Sequence, residues 1–279
     1  MRSALSVVVF SVTLFTPMYG QKYLGDSWSN VKANGSGTLA CLYHESPGLI
    51  YYEDEEVKGV CVDILEDFTK YIRQEYSITL KLAFTPAKKG VSHLIERICD
   101  TPNLLGIANA NITDQAKMKL AFSPSYFANP MVFLTGKAAP SLNSLAEITL
   151  KFEGYTAVVV QGSSQQEFIN RSVELYYPMI NIEYQPNGEA VLERIVTTPN
   201  TFTIIDFIEF FKSIKKRLPV KRHDVVLVGP VEQLGFMMQK GSDWQPLWNE
   251  FLTKEYKESV RYKKIVASHL GNSFLNLVE

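Results

Sequence analysis

Apolar and polar positions along the chain follow two periods. Residues 37–43 (GTLACLY) form an apolar run, and Pro47 and Gly48 turn the chain behind it. Ile64, Leu65, Phe68, Tyr71 and Ile72 then return at helical spacing. Residues 78–84 (ITLKLAF) alternate as a half-buried strand does. Further strands are predicted at 104–110, 156–160, 180–184, 201–205 and 225–228, with 234–238 extended. Helices are predicted at 90–99, 165–176, 190–195 and 208–214, and over most of 244–267. Residues 21–36 read as a polar leader without regular structure, and 53–56 as a solvated acidic turn. Strands that alternate with helices predict an α/β architecture in which helices cover a sheet.

The first residues follow a different rule. Arg2 precedes an apolar segment at 4–15 that is too short to span a bilayer, Pro17 breaks it, and Gly20 puts a small residue before Gln21. This predicts a signal peptide over residues 1–20 and an exported, soluble mature chain. No Cys follows the apolar segment to carry a lipid, and no later stretch is apolar enough to cross a membrane.

The chain has 279 residues, 46% of them apolar and 20% charged, with a formal net charge of −1. That is enough apolar material for a core, and the charge balance leaves no footprint for nucleic acid. The basic run from Lys212 to Arg222 reads as a solvated helix face and loop. The three cysteines, Cys41, Cys61 and Cys99, form no CxxC pair and have no His at zinc spacing. No metal or other cofactor is expected. Export permits one disulfide, burial of free thiols is the default, and the spacing leaves any pairing open.

Several polar residues stand where a site would form. Gly162, Ser163 and Ser164 lie between an apolar run and a helix, where free backbone N–H groups and hydroxyls suit an anion or a plain cap. Asp206 ends an apolar strand, and its carboxylate suits an ammonium, sugar hydroxyls or the cap of the helix after it. Asn109, Asn111 and Thr113 alternate, which puts all three on one face of an extended segment. Tyr43, Tyr51 and Tyr52 suit an aromatic wall, with core packing as the alternative.

Five short motifs occur in a fixed order: Gly59-Val60-Cys61-Val62-Asp63-Ile64-Leu65; Ile112-Thr113-Asp114-Gln115-Ala116-Lys117 followed by Phe122-Ser123-Pro124-Ser125-Tyr126; Gln161-Gly162-Ser163-Ser164; Leu234-Gly235-Phe236-Met237-Met238; and a closing helix that ends His269-Leu270-Gly271. In that order the mature chain resembles family 3 of the bacterial extracellular solute-binding proteins, the periplasmic partners of polar amino-acid importers. The resemblance implies a two-lobed periplasmic binding protein-like (type II) α/β fold. Lobe one would comprise 37–132 plus 239–279, lobe two 136–233, and the crossover strands would lie near 131–135 and 235–239. It implies a periplasmic monomer that holds a small polar solute in the cleft and presents it to an inner-membrane permease of the ABC type. In the family, the loop at Ser163 and Ser164 contacts ligand and an Asp at the place of Asp206 binds its α-amino group. Tyr43, Tyr52, Asn109, Asn111 and Thr113 complete the expected ligand-binding set. The family's Arg, which forks onto the ligand carboxylate, falls at Ala116, and alanine cannot make that contact. The same fold resembles that of cyclohexadienyl dehydratases, and a ligand-presenting sensor component is a further alternative. The chain has no nucleophile–base motif, Gly-x-Ser-x-Gly or phosphate loop, so a binding role is expected rather than an enzyme.

Overall fold

The structure is a computed structural model that describes residues 25–275 apart from Val228, Pro230 and Ser273. The predicted signal peptide lies outside the described residues.

The first sheet has five strands in the spatial order Thr79–Pro86, Ser36–Tyr43, Leu104–Ile107, Met237–Gln239, Leu120–Phe122. Ser36–Tyr43 pairs in parallel with both of its neighbours, and its last five residues are buried. Burial on both faces is what makes a parallel strand a continuous apolar run. Helix Val60–Tyr76 covers this sheet with Val60, Cys61, Ile64, Leu65, Phe68 and Ile72, and ends at Ser77, which takes a left-handed conformation at φ 58°. Phe68 stacks on Trp248 at 3.9 Å between ring centroids, so the C-terminal helices close the same core that the N-terminal strands begin.

The second sheet also has five strands, in the order Asn181–Gln185, Thr156–Val160, Thr201–Asp206, Met131–Gly136, Val220–His223. The first three run parallel, and Met131–Gly136 runs antiparallel to both of its neighbours. Its core is aromatic: Phe133 stacks on Phe202 at 4.8 Å, and Phe152 packs against both. His223 is buried there. Its Nδ1 accepts from the Leu142 N–H at 2.9 Å, which leaves the proton on Nε2 to be donated to Thr135 Oγ1 at 2.7 Å. Burial, helped by the charge of Lys221, pushes the imidazole down to about 4.

The chain passes between the sheets twice. The two passages, Phe127–Asn129 and Glu232–Leu234, pair antiparallel, with Glu232 opposite Asn129. The stretches expected as crossovers lie inside the sheets instead: Met131–Gly136 in the second and Met237–Gln239 in the first. Their apolar character reflects sheet burial rather than a passage.

Other expectations change for local reasons. The segment read as a leader contains helix Trp28–Asn34, capped by Ser27 and held by the Asp243 carboxylate, which accepts from the N–H groups of Trp28 and Ser29 at 2.9 Å. No strand forms over 225–227. The edge strand is the basic Val220–His223, and Val225 and Leu227 pack on the second core from a loop. Charged side chains at a sheet edge guard it against further pairing. The helix expected over 165–176 is α-helical only over Ser164–Phe168, then widens into a π turn at Ile169–Val173. Among the described residues the three cysteines are free thiols, Cys41 and Cys61 buried.

Candidate binding site

Polar residues from both sheets meet at the paired passages. Asp206 is the last residue of its strand and the cap of helix Phe207–Lys215. Its Oδ1 accepts from the Glu209 N–H at 3.0 Å, from Asn129 Nδ2 at 3.0 Å and from Asn109 Nδ2 at 3.3 Å. Both sequence readings of Asp206 therefore have a place: Oδ1 serves the cap, and Oδ2 has no hydrogen-bond partner among the described residues. Asn129 is fully buried and joins the parts, because its Nδ2 also donates to Asn109 Oδ1 at 3.2 Å and its Oδ1 accepts from the Ile208 N–H at 3.2 Å.

Glu232 lies across the strand pair from Asn129. Burial raises its carboxyl above the usual range. Ser164 opposes that shift, the Asp206 charge adds to it, and Asn111 opposes it. Glu232 Oε1 is buried without a hydrogen-bond partner among the described residues, and so is Asn111 Oδ1. Asn111 is held there by a bridge to Leu234, next to an Ile112 N–H bond to the Gln233 carbonyl at 2.8 Å. Behind the cap, burial and the Asp206 charge also raise Glu209, against the pull of Lys212 at 3.6 Å.

Asn109, Asn111, Ser164 and Asp206 are thus brought together, while four expected residues are placed otherwise. The strand before Asn109 ends at Ile107, so strict alternation fails, and Thr113 is exposed and caps helix Asp114–Lys117 by accepting from the Ala116 N–H at 3.1 Å. Ser163 donates to the Val160 carbonyl at 2.6 Å and accepts from the Gln166 N–H at 3.3 Å. The Gly162 N–H is taken by Gln166 Oε1 at 2.8 Å. The Gly162 and Ser163 donors expected to hold an anion are spent within the turn, which corrects that reading of Ser163, while Ser164 faces Glu232. Tyr43 is 2% exposed and packs edge-on against Phe84, whereas Tyr52 is 58% exposed on the hairpin Tyr51–Glu53 and Glu56–Lys58. Tyr51 turns its hydroxyl to His269 Nδ1 at 3.3 Å. The three tyrosines do not assemble into a wall. Sequence reasoning missed Asn129 and Glu232. Asn129 carries no signal beyond standing before Pro130. Glu232 carries one, as the single charged residue between Asp224 and Lys240.

The cavity lined by Ser125, Phe127, Gln233, Lys257, Tyr262 and Phe274, about 470 Å³, opens beside the same passages but on the C-terminal helix side. It contains none of the grouped polar residues.

Solved structures match this fold over most of the chain. An ancestral arginine-binding protein bound to arginine matches with a TM-score of 0.58 at 20% identity, over 84% of this chain and 98% of its own. The fold is that of the two-lobed periplasmic binding proteins. Substrate-binding domain 2 of GlnP from Lactococcus lactis, in an open conformation, matches with a TM-score of 0.60 at 15% identity, over 84% of this chain and 95% of that one. The Drosophila muscle GluRIIB complex with glutamate matches with a TM-score of 0.62 at 11% identity, over 84% and 98%. No family model and no curated protein sequence matches the chain.

Proposed function

We propose that the protein captures a small polar solute between its two lobes and presents it to a membrane importer. One observation carries this reading: polar side chains from both sheets and both passages converge on Asp206, and part of their hydrogen-bonding capacity is unused. Clefts between domains with a few convergent polar groups are the usual place for a small-ligand site. Neighbours of the same fold are described as bound to arginine, glutamine or glutamate, which supports a polar solute. The passages 127–129 and 232–234 act as the hinge, with lobe one built on the first sheet and lobe two on the second. The ligand contacts are Asn109, Asn111, Ser164, Asp206 and Glu232, with no catalytic role for any of them. The protein works in the periplasm as a monomer after loss of residues 1–20.

The test is thermal unfolding of residues 21–279 against amino acids, polyamines, sugars, organic acids and nucleosides. A ligand at a hundred times its Kd adds about 2.7 kcal/mol, or roughly 5–10 °C at this size. A shift with one class of compound is expected. No shift with any of them sinks the binding role.

A further inference from the structure

This inference rests on the binding role proposed above and names the chemistry of the ligand. The joint between the sheets holds two carboxylates, Asp206 and Glu232, and its neutral donors turn toward them: Ser164 and Asn111 oppose the rise of the Glu232 carboxyl by hydrogen bonding. Asn109 gives its amide hydrogen to Asp206, and Asn129 gives to Asp206 and Asn109. The Gly162 N–H goes to Gln166. Glu232 Oε1 and Asn111 Oδ1 are buried without a donor among the described residues, and Asp206 Oδ2 accepts no hydrogen bond from them. Buried acceptors are rarely left without a donor, because drying one without replacement is costly.

The two carboxylates are neighbours: Glu232 lies opposite Asn129 in the strand pair, Asn129 donates to Asp206 Oδ1 at 3.0 Å, and the Asp206 charge helps to raise Glu232. Neither forms an ion pair with Lys or Arg among the described residues. Like charges in a half-dry site are stable together when a cation lies between them. We propose that Glu232 is a second ligand-binding carboxylate beside Asp206, and that the site takes an organic dication with no carboxylate of its own, of the aliphatic diamine or polyamine class. An alkylammonium brings a positive charge, three donors and no acceptor, which matches a carboxylate that has no cation partner. A zwitterionic amino acid would bring a third carboxylate to two that have no Lys or Arg partner among the described residues. Position 116, where such a cation is implied, is a methyl group that packs on the first sheet, and its neighbour Lys117 is paired with Asp114 at 3.4 Å.

The experiment is calorimetric titration of the purified chain, and of its Glu232→Gln variant, with 1,4-diaminobutane, butylamine, L-arginine and L-glutamine. The expected result is that diaminobutane binds about tenfold or more tightly than butylamine, since only the diamine meets both carboxylates. Glu232→Gln should bring diaminobutane down to the level of butylamine. Equal diaminobutane affinity in the variant removes Glu232 from the site. Tighter binding of arginine or glutamine than of diaminobutane overturns the dication class and leaves the solute-binding role standing. If no solute of the wider panel shifts unfolding either, both readings fall together. The comparison of ligands on the unsubstituted chain decides the class even if the variant does not fold.

Discussion

Asn109 Nδ2 donates to Asp206 Oδ1 at 3.3 Å, which links the end of a strand in one sheet to a helix cap in the other. Oδ1 holds the helix cap and the Asn109 and Asn129 amides while Oδ2 is left over, so the capping role and the charge of Asp206 can be separated by substitution.

Asp206→Asn keeps an oxygen for the cap and removes the charge. Its unfolding midpoint should stay near that of the parent, while affinity for a cationic ligand falls. Asp206→Ala removes the cap and strands the Asn109 and Asn129 amides, at a cost of about 2 kcal/mol or more. Urea unfolding of both variants beside ligand titration checks this. An Ala variant as stable as the Asn variant would show that the cap contributes little.

His223 predicts a pH dependence. It is neutral in the fold, with its imidazole pushed down to about 4 from an ordinary 6.5. Between these values the unfolded chain binds the extra proton, so stability rises with pH through the window and is complete above it. Acidification from 6.5 to 4 should remove up to about 3 kcal/mol from this group. The slope is read as the difference in urea stability between the parent and His223→Gln, which lacks the titrating ring. Parallel pH profiles for the two proteins would refute it.

Gly59 caps helix Val60–Tyr76 at φ 128°, and a Cβ there would meet the Leu49 carbonyl oxygen at 2.3 Å. Both the backbone angle and the space exclude a side chain. Gly59→Ala should cost more than about 1 kcal/mol, and the loss should show in thermal unfolding.

The thiols should differ in reactivity. Burial pushes Cys61 up to about 12 and Cys41 well above its ordinary value, while Cys99 is partly exposed. A thiol reagent should label one cysteine in the native protein and three after unfolding. Fast labelling of all three in the native state would mean that the first core opens readily.

The elements most legible in the sequence are those whose burial is one-sided or complete. Residues 78–84 alternate because one face of an edge strand is wet, and Phe68 and Ile72 repeat because one stripe of their helix is covered. Met131–Gly136 and Met237–Gln239, which the resemblance placed near the crossovers, are strands of the second and first sheets, and strand burial alone accounts for their apolar residues. The site was half legible. Asp206 and Asn109 advertise themselves at strand ends. Glu232 gains its meaning only when a strand from far along the chain lays it opposite Asn129. The tyrosines misled for the reverse reason, since an aromatic pattern is equally good for a core and for a wall.

Met237–Gln239 lies between Leu104–Ile107 and Leu120–Phe122, so Leu120–Phe122 reaches its own sheet only through a strand made more than a hundred residues later. A chain emerging from a ribosome or a translocation pore, N-terminus first, therefore cannot finish its first lobe until nearly all of it has emerged. The second lobe, contained in one uninterrupted stretch, can complete its sheet before that. The sheet that begins first along the chain is therefore the one that closes last.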